Sequence, residues 1–105
     1  MIVVDIETSG LYSDRFGIWQ IGAIDLETRA EFLEESRIDD EDEISEEALR
    51  VIGKTEVELR DKRKQSQREL LRKFFIWGEK RKNNNLICQN PQFDYGFLSA
   101  KSRAY

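Results

Sequence analysis

The feature that most constrains the fold is a short apolar run near the start of the chain that carries two acidic residues. Residues 2–7, Ile-Val-Val-Asp-Ile-Glu, are rich in β-branched side chains, and the Thr-Ser-Gly of residues 8–10 interrupts them. This composition predicts a buried β-strand. Because side chains alternate along a strand, Asp5 and Glu7 project from the same face. Two carboxylates at the end of an apolar strand are costly if they are buried without partners.

Divalent cations are suitable partners for such a pair, because carboxylates are preferred ligands of magnesium and manganese. The Asp-x-Glu pair at residues 5 and 7 also occurs often by chance, so it does not establish a metal site alone. The absence of histidine and the presence of one cysteine exclude Ser-His-Asp catalysis, a disulfide scaffold and most zinc sites. Carboxylates with hard cations therefore remain the obvious catalytic equipment.

The segments after the first strand predict two more strands and then three helices. Strands are expected at Ile18–Leu26 and Glu31–Ile38, and the short connections predict an antiparallel meander. Helices are expected to begin at Ser45, Thr55 and Ser66, because these residue types cap helix N-termini. The third helix carries an apolar stripe at helical spacing, which we expect to face the core, formed by Leu70, Leu71, Phe74, Phe75 and Trp77.

A brief apolar strand at Leu86–Gln89 follows, and Pro91 is expected to end it because proline cannot continue a β-ladder. A final helix is expected from Phe93 onwards. The long helical crossover before the fourth strand predicts parallel pairing. The expected fold class is therefore α/β: a three-stranded antiparallel meander plus a parallel strand, flanked by helices, in one domain over residues 1–105.

The charge distribution and hydropathy bear on partners and location. Residues 1–50 carry 15 acidic and 4 basic side chains, whereas residues 51–105 carry 6 acidic and 13 basic ones. Such a split is consistent with a basic side that faces nucleic acid, but solvated helix and loop faces explain it equally, and charge alone favours them. No segment approaches the roughly 20 apolar residues of a membrane span. The first residues do not form a basic region followed by an apolar one, so we expect no secretion signal. We therefore expect a cytoplasmic protein without membrane contact.

Two segments resemble the metal-binding motifs of a known family. Residues Val4–Leu11 are similar to the first motif of DnaQ-like (DEDD) exonucleases, an apolar strand running into D-x-E-T-[TS]-G-L. Residues 90–98 resemble their second motif, N-x-x-F-D-x-x-F-L. Between them, Ile18–Ala23 resembles the family's second strand and Ile44–Thr55 its helix region. The resemblance covers essentially the whole chain in order and spacing, and it implies a ribonuclease H-like fold.

The resemblance implies a 3′–5′ exonuclease that removes terminal nucleotides from DNA or RNA at a single-stranded 3′ end. It implies that Asp5, Glu7 and Asp94 are catalytic and hold two Mg²⁺ or Mn²⁺ ions. The residues that resemble those holding the terminal nucleotide are Thr8, Leu11, Asn90 and Phe93. For Phe97 and Leu98, helix packing is the preferred interpretation.

The family's third motif, a carboxylate shortly after a histidine or tyrosine, does not occur in these 105 residues. Two interpretations therefore stay open. One is an exonuclease domain that is incomplete in this chain, which the three retained carboxylates favour. The other is a non-catalytic module that binds nucleic acid or a partner and keeps the fold, which the missing motif favours. Self-association through strand 86–89 is also expected, because its side chains offer neither proline nor charge against edge pairing.

Overall fold

A computed structural model describes residues 1–88 and 91–104 and contains a four-stranded mixed sheet with helices. The strands are β1 (Ile2–Thr8), β2 (Ile18–Asp25), β3 (Glu31–Glu35) and β4 (Leu86–Cys88). The helices are α1 (Glu46–Ile52), α2 (Glu56–Leu59), α3 (Gln67–Glu79) and α4 (Pro91–Ala104). The strand order is β3-β2-β1-β4, with β1, β2 and β3 antiparallel and β4 parallel to β1. The predicted fold class and element order are confirmed.

Several element boundaries differ from those expected. Strand β3 ends at Glu35 rather than Ile38, because Ile38 leaves the sheet and packs with Trp19 and Leu59 in a separate apolar cluster. Helix α4 begins at Pro91 rather than Phe93. Proline is well suited to this position, because backbone N–H groups in the first turn have no acceptor within the helix and proline has no N–H to leave unpaired. The predicted last residue of β4, Gln89, lies outside the described residues.

The predicted caps begin the three central helices. The side chains of Ser45, Thr55 and Ser66 accept hydrogen bonds from backbone amides of their first turns. Gly53 ends α1 in the left-handed conformation, with φ of 76°, which glycine adopts without steric cost. Over the residues that the structure describes, no helix has the length and apolar character needed to cross a membrane.

The main core lies between one face of the sheet and helices α3 and α4. From the sheet it takes the side chains that alternate inward along β1 together with Ile18, Ile21 and Phe32. From the helices it takes Leu70, Leu71, Phe74, Phe97 and Leu98. The smaller cluster around Trp19 packs beside α1 and α2 through Leu49, Ile52 and Leu59. The smaller cluster thus holds α1 near the carboxyl end of β1, because Thr8 pairs with Ile18, the neighbour of Trp19.

The expected stripe on α3 is partly wrong. Phe75 is 40% exposed, whereas Leu71 and Phe74 beside it are buried. Successive helical residues are rotated by about 100°, so Phe74 and Phe75 do not share the buried face. Gln67, fully buried, extends that face at the helix N-terminus instead. A buried amide at this position was not expected from the sequence.

Ion pairs join the acidic first half of the chain to the basic second half. These pairs are Lys62–Asp40, Lys64–Glu35, Lys73–Glu34, Arg81–Asp25 and Lys101–Asp42. The first three of these pairs are largely exposed, and exposed pairs contribute only about 0–1 kcal/mol each, so those three are not a main source of stability. They do show that much of the uneven charge is used for contacts within the fold.

Strand β4 presents an apolar edge, and we propose that the chain self-associates through it. Leu86 and Ile87 are 37% and 41% exposed, whereas β3 at the opposite edge carries glutamates that discourage pairing. Light scattering is expected to show an average mass that rises with concentration. Ile87→Lys should reduce this rise, because a charged side chain disfavours edge pairing, whereas Val57→Lys on α2 should not. A concentration-independent monomer mass for the wild-type chain would contradict the proposal.

Candidate active site

Strand β1 presents its two acidic side chains on the face opposite the core. Ile2, Val4 and Ile6 are buried, whereas Asp5 and Glu7 are exposed. This alternation places both carboxylates on the same side of the sheet, near the carboxyl end of the strand. They are therefore accessible to solvent and to ligands.

The turn after β1 is held by contacts that require its small residues. The buried Ser9 hydroxyl donates to the Glu43 carbonyl at 2.7 Å and accepts from the Gly17 amide at 2.9 Å. A Cβ on Gly10 would lie 2.3 Å from the ring of Phe16, so a side chain does not fit there. The Thr8 hydroxyl donates to the Gly10 carbonyl at 2.7 Å. These contacts fix the backbone that follows the two carboxylates.

Helix α4 brings a third carboxylate to the same edge of the sheet. Because β4 runs parallel to β1, with Val4 opposite Cys88, the chain leaves both strands on the same side. Asp94 lies in the first turn of α4 and is buried. The partial positive charge of a helix N-terminus favours a carboxylate at this position. Phe97 and Leu98 are buried in the main core, in agreement with the packing interpretation.

The three carboxylates interact electrostatically. The pKa of Glu7 is raised above its usual value, first because neighbouring protein atoms partly desolvate its exposed carboxylate and then by the negative charges of Asp5 and Asp94. Burial raises the pKa of the Cys88 thiol, and the charge of Asp94 raises it further. The charge of Asp94 therefore acts on both β1 and β4. A cation bound between these carboxylates would relieve their repulsion.

The arrangement fits a divalent cation in its chemistry but is not a closed ligand set. All three acidic side chains offer oxygen ligands, which suit Mg²⁺ and Mn²⁺. Within residues 1–88 and 91–104, however, no three acidic or cysteine side chains form a group that could hold a metal ion as they stand. Side-chain rearrangement on cation binding is therefore required if these residues are ligands.

A cavity of about 280 Å³ lies beside Glu7, between the turn after β1, helix α1 and the start of α4. Four residues implied by the resemblance line it, namely Glu7, Thr8, Leu11 and Phe93. Asp5 and Asp94 lie near Glu7 but are not among the residues that line the cavity. Asn90 lies outside the described residues. The structure thus gathers most of the proposed nucleotide-binding residues around one cavity.

Sequence reasoning missed the wall that helix α1 contributes to this cavity. That wall is formed by Ser45, Glu47, Ala48, Val51 and Ile52. The only signal in the sequence was that α1 carries apolar residues, and the structure leaves one of them, Val51, 82% exposed. Sequence periodicity cannot distinguish an apolar helix face that packs on the core from one that lines a cavity.

A family model described as exonuclease, of the RNase T type, matches residues 2–105. No curated protein matches the chain.

Proposed function

Since this chain belongs to the RNase T-type exonuclease family, we propose that it acts as a metal-dependent 3′–5′ exonuclease on DNA or RNA. The observation that carries the proposal is that the carboxylates of Asp5, Glu7 and Asp94 interact electrostatically beside a cavity of about 280 Å³. The proposed substrate is the 3′ end of a single strand. The expected cytoplasmic location stays a prediction.

Asp5, Glu7 and Asp94 would hold the divalent cations, Mg²⁺ or Mn²⁺. When bound, such ions supply an activated water and stabilise charge on the leaving oxygen. The chain's own contribution is to place the oxygen ligands on two rigid elements, strand β1 and helix α4. The resulting positive charge would also allow a chain of net charge −4 to bind a polyanion.

The cavity beside Glu7 suits the terminal nucleotide. Its volume of about 280 Å³ lies just below the common range for ligand pockets, about 300–1,000 Å³, which favours one nucleotide over a longer segment. Phe93 offers a ring on which a base can stack, and stacking tolerates all four bases. Thr8 offers polar groups on the same wall, whereas Leu11 and Ile52 are apolar. This mixture supports binding without base-specific recognition.

The second candidate function is binding without catalysis. It is favoured by the absence of a ready metal-ligand group in the part of the chain that the structure describes. A non-catalytic module would retain the cavity and bind strand ends, or a partner, without cleaving them. The two candidates therefore differ in their response to divalent cations.

Degradation of single-stranded DNA and RNA oligonucleotides labelled at the 5′ end tests the proposal. With Mn²⁺ or Mg²⁺ we expect stepwise shortening from the 3′ end, and with a chelator none. We expect slow turnover by the 105-residue chain, because missing general-base assistance costs about 10²–10⁴-fold. Asp5→Asn should abolish shortening, and Asp14→Asn on the exposed turn should not. Binding without shortening, with Mn²⁺ present, would contradict the exonuclease proposal and favour the second candidate.

A further inference from the structure

A buried ion pair joins helix α4 to the loop that precedes α1. The Lys101 ammonium group donates to Asp42 Oδ1 at 3.0 Å, and the two side chains are only 8% and 14% exposed. The other ion pairs between the acidic and basic halves named above each include a side chain at least 18% exposed. Lys101–Asp42 and Arg81–Asp25 are therefore the best shielded of the named pairs, and the charged atoms are closer in Lys101–Asp42, at 3.0 Å against 4.0 Å.

Asp42 also connects the pair to α3 and β2. Its Oδ2 accepts a hydrogen bond from Gln67 Nε2 at 2.8 Å, and Gln67 Oε1 accepts one from the Ile18 amide at 2.8 Å. A Cβ on Gly17 would lie 2.8 Å from Gln67 Oε1 and 2.9 Å from Asp42 Oδ2. A Cβ at position 17 would therefore displace the ends of these two side chains. Asp42, Gln67 and Ile18 form one rigid polar anchor.

This anchor is continuous with the backbone that follows the β1 carboxylates. Gly17 and Glu43, the chain neighbours of Ile18 and Asp42, are both hydrogen-bonded to the Ser9 hydroxyl. Ser9 lies two residues after Glu7. A side chain that binds this anchor therefore has its position fixed with respect to the end of β1.

On α4, Lys101 and Asp94 belong to the same buried face. Asp94, Phe97, Leu98 and Lys101 are spaced by three, four and seven residues, and all are buried. Lys101 lies two turns, roughly 10 Å, from Asp94 along the helix. A contact that sets the rotation of the helix at Lys101 therefore also sets the direction of Asp94.

Burying a lysine is not an efficient way to stabilise this helix. Replacing a buried ion pair with apolar side chains is often neutral or stabilising, and Phe97 and Leu98 already supply apolar contacts. A hydrogen-bonded ion pair, however, can fix the rotation of a helix about its axis more specifically than apolar packing does. We propose that Asp42 and Lys101 are positioning residues: their pair fixes the rotation of α4 and thereby holds Asp94 toward Glu7. The role of Asp94 in this inference rests on the proposed function.

Calorimetric titration with Mn²⁺ tests the positioning role. Lys101→Met is expected to weaken Mn²⁺ binding by about tenfold, the lower range for residues that orient metal ligands. The double variant Asp42→Asn, Lys101→Met removes both charges, so its folding stability should recover while Mn²⁺ binding stays weak. Lys101→Arg keeps the cation and should bind Mn²⁺ more tightly than Lys101→Met. Wild-type Mn²⁺ affinity in the double variant would overturn the positioning role.

The labelling rate of Cys88, the only cysteine, supplies a readout that needs neither metal nor activity. Cys88 packs against the main core next to α4 and is only partly exposed. Lys101→Met should raise its rate of reaction with a thiol reagent, and Lys101→Arg should largely restore the wild-type rate. The control is Arg103→Met, since Arg103 is exposed and, within the described part of the chain, its side chain donates a hydrogen bond to Ser99 of the same helix. Equal labelling rates in Lys101→Met and Arg103→Met would overturn the inference, whereas failure of wild-type Mn²⁺ binding alone would count against the proposed function.

Discussion

Replacing Glu7 with glutamine is expected to stabilise the chain at neutral pH without divalent cations, and to remove most of the stabilisation that Mn²⁺ gives. Partial desolvation, and then the negative charges of Asp5 and Asp94, raise the pKa of Glu7 above its ordinary value of 4.5. The folded state therefore holds this proton more tightly than the unfolded chain does. Ionisation of Glu7 then costs folding stability, and glutamine avoids this cost because it does not ionise.

The pH dependence has a defined sign. Well below pH 4.5, Glu7 is protonated in both states and the difference between wild type and Glu7→Gln should be smallest. As the pH rises from 4.5 through the raised pKa of the folded state, the wild type loses stability relative to the variant. Above that pKa the difference should stay constant. Urea unfolding at a series of pH values in a chelating buffer measures this difference in the free energy of unfolding between the two proteins.

Addition of Mn²⁺ should reverse the order of the two proteins. A ligand at 100 times its dissociation constant stabilises the folded state by about 2.7 kcal/mol. The wild type should gain this stabilisation, and Glu7→Gln should gain much less because it lacks one anionic ligand. Asp14→Asn, which changes an exposed acid outside the site, should behave as the wild type does. Equal stabilisation of wild type and Glu7→Gln by Mn²⁺ would remove Glu7 from the metal site.

Gly10→Ala is expected to destabilise the fold by about 1–3 kcal/mol, the usual cost of inserting atoms into a packed region. The added Cβ would lie 2.3 Å from the Phe16 ring, which is itself buried, so the ring must move. That movement disturbs the turn that carries Thr8 and Leu11 into the cavity. Binding of single-stranded oligonucleotides should therefore weaken together with stability.

Gly96→Ala is the matched control for this substitution. Gly96 lies within α4, and a Cβ built there meets no described residue within 4 Å apart from its chain neighbours and the backbone of its own helix. Alanine at that position should stabilise the helix by about 0.5–1 kcal/mol. Urea unfolding of the two variants should thus give shifts of opposite sign. A Gly10→Ala midpoint at or above that of the wild type would show that Phe16 moves without cost.

Local sequence patterns predicted most of the secondary structure. The caps at Ser45, Thr55 and Ser66 determine where helices begin, because their side chains satisfy amides within the same turn. The end of β3 was less predictable. Strand β3 stops at Glu35 because Ile38 is taken into the cluster around Trp19, which is a contact between distant segments.

The candidate site was likewise predictable from the sequence only in part. The sequence by itself determined that Asp5 and Glu7 share a face of β1, since strand periodicity requires it, and the motif around Asp94 identified the third carboxylate. Only the tertiary structure decided which elements complete the site. The α1 wall of the cavity and the buried partners Asp42, Gln67 and Lys101 depend on how the helices pack against the sheet. Polar residues of this kind look like surface residues in a sequence, because burial is a property of the packed fold and not of the residue type.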